Sequence, residues 1–177
     1  HFDPPGVASR DLQECLLIQL NQLEEKINDA LIDQNAKIQN KDGMDIAICA
    51  FDLKNKRIKY AGAYRPLFII NGSSFNEIKG DRFPIGGGSD YKKQPFETHE
   101  LTIKPNDTFY MFSDGFADQF GGNKNKKFTI KQFRETLMDI QSLPPEEQVK
   151  NLDKTLLDWQ DKNHQVDDIL VIGTKFS

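Results

Sequence analysis

The octapeptide Thr-Phe-Tyr-Met-Phe-Ser-Asp-Gly at residues 108–115 decides how this sequence is expected to fold. Its apolar and aromatic residues are typical of a buried β-strand, and the run ends abruptly at Asp114 and Gly115. A carboxylate there is held on the rigid end of a strand, and the glycine lets the backbone turn away from whatever it binds. An Asp-Gly pair after a strand is most often a turn or a helix N-cap, so the pair alone does not define a site.

A second acidic feature lies near the C-terminus, where Asp167 and Asp168 come directly before the apolar residues 169–172. That apolar run predicts a buried strand. Adjacent like charges repel, and a cation shared with another carboxylate would make the arrangement easier to explain. A solvated turn before the strand is nevertheless the more common role of such a pair. If the last strand pairs antiparallel with residues 108–113, Asp114 and Asp167 fall at the same end of the sheet.

The rest of the chain predicts a layered α+β protein. Short strand-like segments separated by turn residues indicate an antiparallel meander before residue 114, over residues 46–51, 57–61, 66–70, 75–79, 97–103 and 108–113. Helical periodicity returns at Thr129, and Pro144 and Pro145 begin a second helix that continues to Trp159. Near the N-terminus, an extended lead-in over residues 1–7 precedes an amphipathic helix over residues 10–32.

Composition excludes several classes of function. A net charge of −4 leaves no basic surplus for neutralising nucleic-acid phosphates, so no nucleic-acid partner is expected. Two cysteines, Cys15 and Cys49, are too few for a disulfide framework, which favours the reducing cytoplasm. No apolar stretch approaches the roughly 20 residues of a membrane span, so no membrane partner is expected.

Carboxylates without histidine or thiolate partners favour hard cations such as Mg²⁺ or Mn²⁺. The three histidines show no spacing that would build a zinc site. The glycines at 86–88 are not followed by the Lys-Ser/Thr pair of a nucleotide-binding loop, and no Gly-x-Ser-x-Gly elbow is present. If the acidic residues form a site, their ligand type favours metal-assisted chemistry, and composition alone leaves a Ser-His-Asp triad open as an alternative.

Several segments together resemble one family, the SpoIIE-like branch of the PPM metal-dependent protein phosphatases. The resemblance covers about residues 20–177 and depends on the order of five motifs: Asp-Gly-Met-Asp at 42–45, Tyr-Ala-Gly-Ala at 60–63 with Pro66-Leu67, Gly-Asp-Arg-Phe-Pro-Ile-Gly at 80–86, Phe-Ser-Asp-Gly-Phe at 112–116, and Val-Asp-Asp-Ile-Leu at 166–170. It implies an antiparallel β-sandwich flanked by helices. It also implies a dinuclear Mn²⁺ or Mg²⁺ centre whose bridging water attacks a phosphoserine or phosphothreonine of a bacterial signalling protein.

By match of motif, the resemblance implies that Asp114 and Asp167 are catalytic metal ligands and that Asp168 contributes to the same metal site. The family supplies its remaining ligands from an earlier Gly-Asp strand and an Asp-x-Ser/Thr-Gly-His-Gly turn. Neither motif occurs before Asp42 in this sequence. We therefore expect a fragment of the phosphatase domain, truncated on its N-terminal side, with weak or no turnover and a metal that is poorly retained.

Residues 2–16 resemble a core-binding segment of the enhancer-dependent sigma factor, sigma-54. This resemblance divides the chain into a sigma-54-like lead-in over residues 1–20 and a phosphatase domain over residues 21–177, an arrangement typical of a chimera. Because the first residue is His1 and not Met, we expect the chain to be part of a longer protein. The favoured interpretation of the lead-in is a helical cap. The alternatives are a non-catalytic chimera and an RNA polymerase-binding sigma fragment. Because a truncated sandwich exposes an apolar face, we also expect a homodimer.

Overall fold

The computed structural model describes residues 43–86 and 95–176. These residues form two compact units. The first contains the described residues up to Leu67 together with Ile78–Ile103, and the second contains Phe68–Glu77 and the residues from Lys104 onward. The expected lead-in, the helix over residues 10–32 and its leucines at 12, 16, 20 and 23 lie outside the described residues.

Eleven described strands and three described helices build the two units. The strands are β1 (Gly43–Met44), β2 (Ile46–Asp52), β3 (Arg57–Ala63), β4 (Leu67–Asn71), β5 (Ser74–Ile78), β6 (Ile85–Gly86), β7 (His99–Thr102), β8 (Thr108–Phe112), β9 (Phe120–Gly121), β10 (Lys126–Lys127) and β11 (Val171–Lys175). The helices are α1 (Gly115–Asp118), α2 (Ile130–Ile140) and α3 (Pro145–Gln160). None of these helices is long and apolar enough to cross a membrane. The expected α+β class with antiparallel sheets is confirmed.

The first unit is built on a three-stranded antiparallel sheet in the order β2-β3-β7. The central strand β3 is buried from its second residue to its last, as expected for a strand with a neighbour on both edges. Ala61, Ala63 and Ile85 form a small core against which Ile48 and Phe96 pack. The short strands β1 and β6 pair separately, with Gly43 opposite Gly86.

The second unit is built on a four-stranded sheet in the order β11-β8-β4-β5. Its core is aromatic: Phe112 of β8 packs edge-on against Phe133 of α2, with ring centroids 4.9 Å apart, and Phe68 of β4 packs 4.7 Å from Phe112. The helix α3 contributes Leu152, Leu156 and Trp159 to the same core. These contacts bury one face of the sheet against α2 and α3, so the predicted helices serve to cover it.

The predicted antiparallel meander is wrong in its order of pairing, because consecutive predicted strands are not always neighbours in a sheet. β3 and β4 are consecutive along the chain but do not pair with each other. The chain leaves the sheet at Tyr64, which has a left-handed φ of 57°, and Pro66 has no N–H to donate to a neighbouring strand. The amide of Tyr64 donates instead to the carbonyl of Asp81, at 2.7 Å.

The prediction of a buried strand over residues 169–172 is also wrong. The strand is Val171–Lys175, and the side chains of Leu170 and Ile172 are 57% and 43% exposed. Its position at the end of the sheet order explains this, because an edge strand is covered on fewer sides than a central one. In α3, Val149 and Leu157 are exposed, whereas Leu152, Leu156 and Trp159 pack against the core.

Candidate active site

Asp114 lies where the sequence predicts it, just after the end of β8. It is the N-cap residue of the one-turn helix α1, and its carbonyl accepts a hydrogen bond from the amide of Asp118 at 2.9 Å. Its side chain makes no capping hydrogen bond. Capping therefore does not explain this half-buried carboxylate, although an N-cap was its most common alternative role.

Asp167 and Asp168 are brought to the same end of the sheet as Asp114. The strands β11 and β8 pair antiparallel with Val171 opposite Phe112, so the residues before Val171 lie beside those after Phe112. The expected convergence of the two acidic motifs is confirmed by this register.

Ser113 holds the two acidic segments together through three hydrogen bonds. Its amide donates to the carbonyl of Leu170 at 3.0 Å, and its hydroxyl donates to the carbonyl of Asp168 at 2.7 Å. The same hydroxyl accepts from the amide of Leu170 at 2.9 Å. Because the hydroxyl both donates and accepts, it extends the pairing of the two strands past the end of β8 and ahead of the start of β11. The sequence alone does not indicate this role, although Ser113 is part of the motif at 112–116.

Gly115 allows the two segments to approach closely. A Cβ atom added at this position would lie 2.4 Å from the carbonyl oxygen of Asp168 and 2.9 Å from its carbonyl carbon. Any other residue therefore clashes with the backbone beside the acidic pair. The sequence pattern predicts that this glycine lets the backbone turn, whereas in the structure it makes room for the Asp168 segment.

The two C-terminal acids are exposed. A carboxylate oxygen of Asp167 accepts a hydrogen bond from the amide of Asp168 at 2.7 Å. The side chain of Gln165 donates to the carbonyl of Asp167 at 2.7 Å. This is the local hydrogen bonding of a turn, and water is available to screen the two charges.

The carboxylates have the right chemistry for Mg²⁺ or Mn²⁺, but those of the described residues do not complete a metal site. Within residues 43–86 and 95–176, no group of three or more histidine, cysteine, aspartate or glutamate side chains is arranged to hold a metal ion. Asp114, Asp167 and Asp168 share one end of the sheet without forming such a group. The described residues therefore do not fit a metal centre on their own.

In the first unit, two of the quoted motifs bind each other. The amide of Asp81 donates to the carbonyl of Gly62 at 2.7 Å, and a Cβ atom at Gly80 would lie only 2.8 Å from that carbonyl oxygen. A carboxylate oxygen of Asp81 accepts from the amide of Glu97 at 2.9 Å. The glycines of these motifs therefore serve close backbone packing, for which the sequence alone gave no signal.

A buried tyrosine and an ion pair fix the loop between β3 and β4. The hydroxyl of Tyr60 donates to the carbonyl of Arg65. The guanidinium of Arg65 pairs with the carboxylate of Asp45 at 2.7 Å. The fourth residue of the motif at 42–45 is thus connected to the loop that follows the motif at 60–63, which gives Asp45 a structural partner.

Comparison with known proteins supports a phosphatase fold. The sequence profile of the family described as Stage II sporulation protein E (SpoIIE) matches residues 8–177. The SiaA-PP2C domain of Pseudomonas aeruginosa is similar to this chain with 25% sequence identity and a TM-score of 0.72, over 94% of this chain and 72% of that one. The phosphatase domain of the cell fate determinant SpoIIE from Bacillus subtilis is similar in fold, with 15% identity and a TM-score of 0.54, over 99% of this chain and 76% of that one.

A second, shorter likeness concerns a different protein. The chain is 52% identical over 46 residues to the RNA polymerase sigma-54 factor of Shewanella violacea. The matched stretch is 26% of this chain and 9% of that factor, so the chain spans only a small part of this curated relative's length. The expected resemblances to a PPM-type phosphatase and, over a short stretch, to sigma-54 are both confirmed.

Proposed function

The chain belongs to the family of stage II sporulation protein E, and we propose that it is a metal-dependent phosphoserine/phosphothreonine protein phosphatase domain with weak or no turnover in this form. The observation that carries the proposal is the convergence of Asp114 with Asp167 and Asp168 at one end of the β8–β11 pair. The backbone brings the segments that carry these three carboxylates to one end of the sheet, and carboxylate oxygens are the ligands that Mg²⁺ and Mn²⁺ prefer.

We infer Mn²⁺ or Mg²⁺ as the cation. RsbX has a structure in complex with magnesium, and the SpoIIE phosphatase domain of Bacillus subtilis has one described as Mn presoaked. In this chain Asp114, Asp167 and Asp168 are the residues that would contribute oxygen ligands. The sequence before Asp42 lacks the family's other acidic motifs, and the described carboxylates do not form a complete site. We therefore expect weak metal binding, and a phosphoprotein as the class of substrate.

Divalent-ion binding tests this proposal through stability, without requiring turnover. An ion that binds only the folded chain raises its stability by RT ln(1 + [L]/Kd), which is about 1.4 kcal/mol at ten times the Kd. For a domain of this size that corresponds to a rise of about 3–6 °C in Tm. We expect such a rise at millimolar Mn²⁺ and its loss in Asp114→Asn. The matched control is Asp139→Asn, which removes an exposed carboxylate from α2. Absence of any shift at millimolar Mn²⁺ would refute a retained metal site.

Hydrolysis of para-nitrophenyl phosphate tests the second half of the proposal. With Mn²⁺ or Mg²⁺ we expect a weak or undetectable rate, because the carboxylates of the earlier family motifs are missing from the sequence. A robust rate that Asp114→Asn abolishes would show that the chain completes its metal site in a way we have not identified. Circular dichroism of the variant would establish that it still folds.

A second candidate function is a non-catalytic chimera that binds RNA polymerase. The observation that favours it is the 46-residue match to the RNA polymerase sigma-54 factor. Residues 2–16, on which this resemblance was noted, lie outside the described residues. Co-sedimentation with core RNA polymerase distinguishes the two candidates, with a chain lacking residues 1–20 as the control. Binding that depends on those residues would support the second candidate, and we expect none.

A further inference from the structure

A concentrated positive charge follows Asp114 in the sequence, within a chain whose net charge is −4. Residues 120–134 contain no aspartate or glutamate. They contain five basic residues: Lys124, Lys126, Lys127, Lys131 and Arg134. A run of this kind is often only a solvated surface, so its structural setting decides whether it has a function.

The first three of these lysines belong to a tight hairpin, which we call the lysine hairpin (residues 120–127). The strands β9 and β10 pair antiparallel with Gly121 opposite Lys126. The turn is closed by a hydrogen bond of 3.0 Å from the amide of Asn125 to the carbonyl of Gly122. Both of these turn residues have positive φ, 44° and 63°, which asparagine and glycine adopt at least cost.

The lysine hairpin is fixed against the end of α3 by Trp159. The amide of Gly122 donates to the carbonyl of Trp159 at 2.8 Å, and the indole N–H of Trp159 donates to the carbonyl of Gln119 at 3.0 Å. A Cβ atom at Gly121 would lie 1.8 Å from the same Trp159 carbonyl. The indole ring packs edge-on against Phe128, with centroids 5.3 Å apart. The hairpin therefore has a defined position, which limits the entropy lost when it binds a partner.

That position is one helical turn from Asp114. The carboxylate of Asp118, whose amide donates to the carbonyl of Asp114, accepts a hydrogen bond from the ammonium of Lys127 at 2.8 Å. After the hairpin, the amide of Thr129 donates a hydrogen bond of 2.7 Å to the carbonyl of Ala117 in α1. The lysine hairpin is thus attached directly to the helix that begins at the candidate metal ligand.

Two of the hairpin lysines are available to a partner. Lys127 pairs with Asp118, whereas Lys124 and Lys126 are exposed and form no ion pair with any residue that the structure describes. A surface with a defined position and two unpaired cations, attached to the helix that begins after Asp114, has the charge pattern for a discrete acidic segment. A continuous nucleic-acid backbone would bring phosphates against Asp114, Asp167 and Asp168 as well, which disfavours that class of partner.

We propose that the lysine hairpin binds acidic side chains that flank the phosphorylated residue of the protein substrate, through Lys124 and Lys126. The inference rests on the proposed function in one respect, because the phosphorylated residue is the one expected at Asp114 and Asp167. Recognition of the flanking acids itself needs neither turnover nor a bound metal. The substrate class is therefore a phosphoprotein whose phosphorylation site lies in an acidic sequence.

Peptide binding tests the inference directly. Fluorescence anisotropy would compare a phosphoserine peptide with glutamate and aspartate flanks and the same peptide with alanine flanks, at about 50 and 200 mM salt. We expect the acidic peptide to bind more tightly and to lose affinity at the higher salt. The variant Lys124→Glu/Lys126→Glu should weaken its binding about tenfold or more. The matched control Lys150→Glu/Lys154→Glu makes the same charge change at exposed positions of α3 and should have little effect.

The possible outcomes separate this inference from the proposed function. Equal affinity for the two peptides, equal loss in both lysine variants, or tighter binding of a single-stranded oligonucleotide would each overturn the lysine hairpin as a site for acidic peptides. An unphosphorylated acidic peptide is the remaining probe. If this peptide binds as tightly as the phosphorylated one, and its binding is lost in Lys124→Glu/Lys126→Glu, then the lysine hairpin binds acidic peptides and the phosphatase proposal fails.

Discussion

Replacing Gly115 by alanine is the sharpest test of how the acidic end of the sheet is built. The new Cβ would lie 2.4 Å from the Asp168 carbonyl oxygen, where about 3.0 Å is the closest approach that real Cβ atoms tolerate. The Asp168 segment must therefore move by at least about 0.6 Å. Forcing such a shift in packed structure costs about 1–3 kcal/mol, and weakening the two hydroxyl hydrogen bonds of Ser113 adds about 1 kcal/mol.

We therefore expect Gly115→Ala to lower the free energy of unfolding by about 2–4 kcal/mol, measured by urea denaturation. Gly72→Ala is the matched control, because its Cβ would meet nothing within 4 Å. Gly72 has a φ of 55°, so the control should lose only about 1 kcal/mol through backbone strain. A Gly115→Ala variant within about 0.5 kcal/mol of the parent would refute the close packing of Asp168 against α1.

Three further predictions concern the second unit. The buried side chain of Gln148 accepts a hydrogen bond from the hydroxyl of Tyr110 at 2.8 Å, so Gln148→Leu should cost about 1–3 kcal/mol in urea denaturation; an unchanged midpoint would contradict it. Burial raises the pKa of Tyr110 to about 12, whereas a tyrosine in the unfolded chain has a pKa near 10. The stability that the neutral Tyr110 hydroxyl contributes is therefore complete below pH 10 and is lost as the pH rises towards 12. Unfolding measured as a function of pH should show a smaller loss of stability in Tyr110→Phe than in the parent chain. Burial also raises the pKa of the Cys49 thiol to about 12, so Cys49 adds a loss of stability of the same sign above pH 9 in both proteins. Finally, no described strand pairs with the outer edge of β11, where the side chain of Ile172 is exposed. We therefore expect the chain to sediment as a dimer at micromolar concentration and the variant Ile172→Lys to sediment as a monomer. A parent chain that sediments as a monomer would contradict this prediction.

The sequence predicts those parts of the fold that depend on local pattern. The helix α2 begins one residue after Thr129, and α3 begins at Pro145, where the proline pair indicates a helix start. The strands β4 and β8 begin within a residue of their predicted positions. In each case the information is a period or a breaker within a few residues, and both act through the backbone of the same segment.

Parts of the fold that depend on distant partners could not be predicted. Whether β3 pairs with β4 is decided by the left-handed turn at Tyr64 and by the hydrogen bond that its amide makes to Asp81, 17 positions later in the chain. An apolar run such as residues 169–172 indicates a strand buried on both faces, but the edge position of β11 follows only from the complete sheet order. Sequence patterns also do not show that Gly115 faces a backbone carbonyl rather than open space.

The acidic end of the sheet owes its geometry to the backbone. Ser113, Gly115 and the register of β8 with β11 bring the Asp114 and Asp168 segments together through neutral hydrogen bonds and close packing. These interactions do not require a cation, so the backbone positions of the two acidic segments are set before any metal binds. Asp114, Asp167 and Asp168 do not by themselves form a group arranged to hold a metal ion. If the proposed metal site is correct, its affinity is therefore limited both by the ligands that the missing family motifs would supply and by the arrangement of these three side chains.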